Sequence, residues 1–350
     1  MHSSICSQGK INNLDKGLDI DFLYPILLER IIMFNYTVRK LLGIIPTLLI
    51  VTFIIYVGVE LMPGDVLDFM IPMDQLSEMT EAEKMAVRES LGLNAPLIVR
   101  YLHWIGNAFR GNLGYSLQNS VPVSELLLSR LPATLELTFA ALIISTFLGT
   151  ILGVISALRK GKMEDNVLTF LGMMGVATPQ FLVGTIFIII FGLQLSIFPV
   201  GGRAPATAGV MEKLSHLLMP ALVMGVSMTA GVMRYTRSSM LEAMDKDYVT
   251  TARSKGLSEF RINILHGFRT AAIPVVILIG FRLPLLVSGS VVIEEVFQWP
   301  GIGLLFTNAI RSQNTPVIMG VALLIILVVL FSSLIMDLIT AALDPRVKLS

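Results

Sequence analysis

The sequence predicts an all-α polytopic membrane protein, with six transmembrane helices and a small extracytoplasmic cap region. Three observations predict it. Mean hydropathy is +0.76. With 54% hydrophobic and only 15% charged residues, the chain exceeds the apolar content of a soluble domain. The apolar residues gather into uncharged runs, several of them near the roughly 20 residues that cross a ~30 Å hydrocarbon layer as a helix. The charges gather between those runs, most of the basic ones on one side.

Composition also excludes some chemistry. One cysteine, Cys6, permits neither an internal disulfide nor a cysteine metal cluster. His2, His103, His216 and His266 show no metal-ligand spacing. There is no Gly-x-x-x-x-Gly-Lys-Ser/Thr stretch to cradle ATP phosphates, no Gly-x-Ser-x-Gly and no His-Glu-x-x-His. The chain is therefore not expected to be an enzyme.

Residues 1–32 read as an extension of unassigned role. Its apolar run, Leu23 to Leu28, is too short to span, and no small-residue cleavage site follows. Residues 33–61 hold the first span, Leu41 to Val59, preceded by Arg39-Lys40. Residues 62–133 form the extracytoplasmic cap region. Thr80 with Glu83 predicts a capping box opening a helix through Leu91, which Gly92 stops. Tyr101 to Phe109 reads as a second helical piece, and Gly111 to Ser124 as extended or turn.

Residues 134–350 read as the core transmembrane domain. Leu137–Leu158 is the second span, followed by Arg159-Lys160-Gly161-Lys162. Val167 to Gly202 carries no charge and exceeds one straight helix, so Pro179 is expected to kink or break it. Leu217 to Met233 is the fourth span, with Pro220 in its first turn. The fifth is read as Ala272 to Ile293, interrupted by Arg282. Trp299-Pro300-Gly301 prevents its continuation, so Val296 to Thr315 should fold back as a hairpin or helix. Val317 to Met336 is the sixth span. With both termini inside, the inner segments hold 17 Lys/Arg and the outer ones 8, as the positive-inside rule requires.

The chain is organised around 234–274, a charged stretch between two apolar spans. Leu241, Met244, Tyr248 and Ala252 recur at helical spacing, which predicts one helix over Met240 to Lys255 with Glu242 in its first turn or so. Gly256 should stop that helix in the left-handed conformation. Ser258 is placed to cap the next helix, with Leu257 and Ile262 as a hydrophobic staple.

Glu242-Ala243, Gly256 fourteen residues after Glu242, and Ile273-Pro274 together resemble the EAA loop of ABC importer permeases. Met244 stands where the family has a second alanine. The chain resembles in particular the first-type (B-like) subunits of the dipeptide/oligopeptide and nickel transport family. Leu61-Met62-Pro63-Gly64-Asp65, Gly111 to Ser116, Arg130 to Glu136, Asp247-Tyr248-Val249, Phe297 to Gly301 and Leu343 to Arg346 carry that resemblance. It begins near Met33, which makes Met33 a candidate start; the alternative is an extension lying on the inner membrane surface.

The resemblance implies a type I ABC importer permease fold in a bacterial or archaeal cytoplasmic membrane. It implies a second homologous permease subunit, two cytoplasmic ATPase subunits and an external solute-binding protein. ATP and Mg would be bound by the ATPase subunits, with no cofactor in this chain. Membrane lipid is the remaining partner, and nothing calls for nucleic acid. The implied ATPase-coupling loop comprises Leu241, Glu242, Ala243, Met244, Asp247, Tyr248, Ala252, Gly256 and Leu257. Peptide is the implied cargo, with nickel or oligosaccharide as alternatives on the same machinery and a passive channel as the alternative from another class. Arg282, with Gly289 one heptad on, is read either as a structural arginine or as a residue of the translocation path.

Overall fold

Hydrocarbon offers no partners to backbone amides and carbonyls, so apolar runs of this length fold as helices that satisfy themselves. The computed structural model describes residues 20–62, 67, 71, 73–90, 92, 94–282, 284 and 291–343, with side chains described for all of these except 20–35, 73, 90 and 341–343. Among the described residues the elements are helices, apart from one isolated bridge between Tyr115 and Pro122. Five helices are long and apolar enough to cross a membrane, or six if one bent pair counts as a span.

The first helix, α1 (Ile20–Glu60), has 41 residues. At about 1.5 Å per residue it is roughly 60 Å long, about twice the hydrocarbon thickness. Tyr36–Glu60 is its apolar part, and residues 20–32 continue the same helix. Three shorter helices follow, α2 (Met73–Glu78), α3 (Glu81–Ser90) and α4 (Leu97–Phe109). The capping box at α3 forms as expected. The Thr80 amide donates to Glu83 Oε2 at 2.7 Å, and the Glu83 amide donates back to Thr80 Oγ1 at 3.3 Å. The Thr80 amide, and its hydroxyl at 2.8 Å, both donating to the Glu83 carboxyl, hold that carboxyl below its ordinary pKa. The cap is therefore at full strength above that ordinary value and is lost as pH falls through the lowered one.

Helix α4 is no detached cap. Tyr101 and Ile105 are buried against Leu48 of α1 and Leu323 of the last helix. The Tyr101 hydroxyl donates to the Leu49 carbonyl at 2.8 Å. Pro63-Gly64-Asp65 lie outside the described residues.

Helix α5 (Val123–Leu158) is longer than the expected second span. The uncharged stretch after it breaks where Pro179 predicts. Helix α6 (Met163–Ala177) and α7 (Gln180–Gln194, its last seven residues a π-helix) meet at 98°. Helix α8 (Val210–Met244) starts earlier than expected, so Pro220 lies well inside it rather than in its first turn.

Two helices differ from the expectations above. Met240 to Lys255 is not one helix, because α8 ends at Met244 and a separate α9 spans Asp247–Ser254. The fifth span is α10 (Glu259–Gly280), π-helical over Ile262–Phe268, and it ends two residues before Arg282. The charges of Arg261 and Arg269 made this region look like a loop. In the fold they point outward, while Ile262, Gly267, Ala271 and Val275 are buried along one side. That buried stripe extends the helix back to Glu259.

Helices α11 (Val291–Val296), α12 (Ile302–Arg311) and α13 (Thr315–Leu343) complete the chain. A buried node joins α11, α12 and α5. Thr134 Oγ1 donates to Glu294 Oε1 at 2.9 Å and accepts the Ile302 amide at 2.7 Å, while the Leu304 amide donates to Glu294 Oε2 at 3.0 Å. The Thr134 hydroxyl and the Glu294 carboxyl thus satisfy two of the orphan donors at the start of α12. Trp299 closes the node by donating from Nε1 to the Ala133 carbonyl at 2.7 Å.

The longest helix–helix seam joins α5 to α8. On α5, Ala141, Ser145, Gly149, Gly153 and Ala157 recur every fourth residue and are all buried. On α8 they meet Gly225, Thr229, Val232 and Thr236. In lipid, association depends on close packing, and small residues let two backbones approach.

Candidate functional site

Three short segments fold one elbow at the end of α8. Met240 and Ala243 bury themselves with Ala157 of α5 and Ala271 of α10. Asp245 ends the helix with φ −86° and ψ 0°, and Lys246 is extended at φ −81° and ψ 149°. The chain therefore turns before α9 begins. Helix α9 then buries Val249 and Ala252 against Ile262, with Met244 and Leu257 packed around them.

The exit from α9 is a complete Schellman turn. The Gly256 amide donates to the Arg253 carbonyl at 2.9 Å, and the Leu257 amide to the Ala252 carbonyl at 3.3 Å. Gly256 carries the required positive φ of 77°. Leu257 and Ile262 pack together as the expected staple, but the Ser258 side chain makes no cap hydrogen bond. Arg253 grips Glu259 across the turn with two bonds, at 2.9 and 3.2 Å. A Cβ added at Gly267 would lie 2.7 Å from Met244 Sδ and 2.8 Å from Met240 Cε. The glycine therefore lets α10 press directly on the end of α8.

The expected site residues separate into two sets. Ala243 and Ala252 are buried, Leu241, Met244 and Leu257 are half-buried, and these five hold the elbow to the bundle. Glu242, Asp247, Tyr248 and Gly256 are exposed. Glu242 is a correction: it sits near the C-terminal end of α8, where the helix dipole disfavours a carboxylate, and it pairs with Lys246 at 3.1 Å instead. Tyr248 and Ala252 no longer share a face with Leu241 and Met244, because the break at Asp245 rotates the second helix away. Facing outward are Tyr248, 40% exposed, and Phe260, 78% exposed, among Asp247, Arg253, Glu259 and Lys255. Arg282 stands in the turn after α10, and Gly289 lies outside the described residues.

The sequence reading missed the anchor behind the elbow. Asp165, 3% exposed, accepts Arg237 Nε at 2.7 Å and Nη2 at 2.8 Å. It also accepts the Ser156 hydroxyl at 2.5 Å and the Gly161 amide at 2.9 Å. One carboxylate thereby ties α5, α6 and α8 together, and Arg237 sits one turn before Met240. Its only sequence signal was an acid and a base each near the end of an apolar run. A second pair, Lys40 with Asp337, joins α1 to α13, and the Tyr36 hydroxyl also donates to Asp337 at 2.8 Å.

A short helix packed on α10 and on the end of α8, and tied by a Schellman turn and the Arg253–Glu259 ion pair, moves as a body with them. Displacing α9 displaces α8 and α10 with it, which suits a part that transmits motion rather than one that makes or breaks bonds.

The sequence model of the family described as "Binding-protein-dependent transport system inner membrane component" matches residues 149–349. A model of the N-terminal part of such membrane components matches residues 33–138. A protein named as a peptide permease in Brucella ovis is 42% identical over 321 residues, covering 91% of this chain and 100% of that protein. The oligopeptide transport system permease protein AppB of Bacillus subtilis is 37% identical, covering 90% of this chain and all of AppB. The glutathione transport system permease protein GsiC of Escherichia coli K12 is 33% identical, covering 90% of this chain and 99% of GsiC.

Proposed function

We propose a peptide-importing role for this chain, which belongs to the family of binding-protein-dependent transport system inner membrane components. As a member it is a multi-pass membrane subunit of an importer. In our reading it forms half of a translocation pathway with a second, homologous permease subunit. Two cytoplasmic ATPase subunits bind ATP and Mg and drive it, and an external binding protein delivers the cargo. Peptide is favoured because similar chains are named for peptide, oligopeptide and glutathione transport.

The observation that carries the mechanical part is the elbow. It exposes two aromatic side chains, Tyr248 and Phe260, and several charged ones, and its buried residues are packed against α5, α8 and α10. An ATPase subunit gripping Tyr248 and Phe260 would pull on three spans at once. Packed interfaces of this kind switch between discrete arrangements rather than bending smoothly.

Two expected results test the reading. Tyr248→Ala should weaken ATPase binding by about 2 kcal/mol, the scale of an aromatic anchor at an interface. Gly256→Val should add about 1–3 kcal/mol of strain at the left-handed turn and loosen the same dock. Both are read as ATPase subunit retained on purification and as cargo-stimulated hydrolysis in vesicles. Wild-type retention and coupling in both variants would remove the elbow as the dock.

Orientation is checked separately. The 17-to-8 distribution of Lys and Arg supports both termini inside. Cysteines placed at Ser90 and Ala206 should then react with an impermeant thiol reagent from outside, and one at Lys255 only after the membrane is opened. The reverse labelling would invert the topology.

A further inference from the structure

We propose that Arg282, at the end of α10 and on the same turn of α8 as the break between α6 and α7, forms a carboxylate-binding subsite on the translocation path, taking the C-terminal carboxylate of a peptide. The proposal rests on the peptide reading above.

The break between α6 and α7 and the end of α10 converge on one turn of α8. At the break between α6 and α7, Gln180 Nε2 donates to Ser227 Oγ at 2.9 Å. In the turn that ends α10, Arg282 Nη1 donates to the Met228 carbonyl at 3.2 Å. Gly231 makes room for the guanidinium, since an added Cβ there would lie 2.8 Å from Arg282 Nη2. Ser227 and Gly231 are four residues apart and so share a face of α8. That face points away from the Gly225, Thr229, Val232 and Thr236 face packed on α5.

All of these groups lie near the middle of the 35-residue helix α8. Thr178, Gln180, Ser227, Met228, Gly231 and Arg282 are each half-buried, so the cluster opens to one side instead of closing on itself. A helix broken within a membrane, as between α6 and α7, is tolerated where it lines a cavity, and there it places polar groups for cargo.

The charge decides what cargo group fits. A guanidinium has five N–H donors, and Arg282 places one of them on a backbone carbonyl. Among the described residues no carboxylate lies within ion-pair distance of it. A half-buried cation packed against an apolar helix is costly without an anion, and a planar fork matches a carboxylate with two parallel bonds. Every peptide with a free terminus brings that carboxylate.

The test compares one peptide with its C-terminally amidated form in vesicles containing the assembled importer, each at a concentration that saturates the binding protein. Turnover per loaded receptor then excludes discrimination made by the receptor. Wild type should move the free acid about tenfold faster, the effect of one charge-assisted bond pair. Arg282→Gln should bring the two rates together, and Arg282→Lys should keep most of the preference. Arg282→Gln retaining the preference, slowing both forms equally, or failing to assemble together with Arg282→Lys would make Arg282 a structural tie to Met228 and overturn the proposal. Wild-type uptake of neither form would instead sink the peptide reading, and this subsite with it.

Discussion

Gly153→Leu is expected to prevent α5 and α8 from packing and to eliminate most of the assembled protein. A Cβ added at Gly153 would lie 2.6 Å from Thr236 Cβ and 2.7 Å from the Met233 carbonyl oxygen. A backbone carbonyl cannot rotate aside, so the helices must separate along the seam. At Gly149 the obstacle is similar, with Val232 Cβ at 2.5 Å and the Thr229 carbonyl at 3.0 Å. Overpacking of this kind costs about 3 kcal/mol or more. Here it also disrupts the Ser145, Gly149 and Gly153 stripe on which association in lipid depends.

The measurement is the yield and melting temperature of monodisperse protein in detergent. Gly43→Leu on α1 is the control, because nothing lies within 4 Å of its added Cβ. Gly153→Ala should fall between the two. If Gly153→Leu melts with the control, the close crossing of α5 and α8 is not there.

The second large effect belongs to the Asp165–Arg237 anchor. Asp165→Ala removes the acceptor of four bonds and leaves the Arg237 guanidinium without its partner. Removing one member of such a buried pair costs about 3–5 kcal/mol. The Arg237 side chain keeps 30% of its exposure, which puts the expected loss at the lower end, about 3 kcal/mol. Under the coupling proposal the same change should lower transport per ATP hydrolysed, because α8 loses its tie one turn before the elbow.

A double-mutant cycle separates the pair from its parts. Asp165→Ala with Arg237→Ala should be much less damaging than the sum of the single changes, by about 2 kcal/mol. Additive losses would mean the two residues act independently, and a full transport-to-hydrolysis ratio in both single variants would remove the anchor from coupling.

How far each feature was legible depended on how local its cause is. The Thr80–Glu83 capping box and the left-handed Gly256 involve bonds within a few residues, and both formed as read. The break at Pro179 is equally local, since proline cannot donate the bond that a straight helix needs. Other readings needed partners that sequence spacing does not show. Leu241, Met244, Tyr248 and Ala252 have the period of one helix, yet Asp245 and Lys246 turn the chain. Val249 and Ala252 could then reach Ile262 on α10, and that burial outweighed the continuous pattern. The start of α10 was hidden likewise, because Arg261 and Arg269 point away from a stripe whose burial depends on Met240 and Met244.

By itself the sequence determined the membrane class, most of the spans, the Thr80–Glu83 capping box, the Gly256 stop and the proline break, because each follows from hydropathy or from hydrogen bonds closed within a turn or two. The tertiary structure alone decided the elbow, the glycine seam between α5 and α8, and the ties Asp165–Arg237, Glu294–Thr134 and Arg282–Met228. The seam and the three ties join residues at least 54 positions apart, and the elbow needs α10 to pack back on α8 and α9. Such contacts form only once helices have chosen their neighbours, and that choice depends on shape and charge across the bundle rather than on any single stretch of chain.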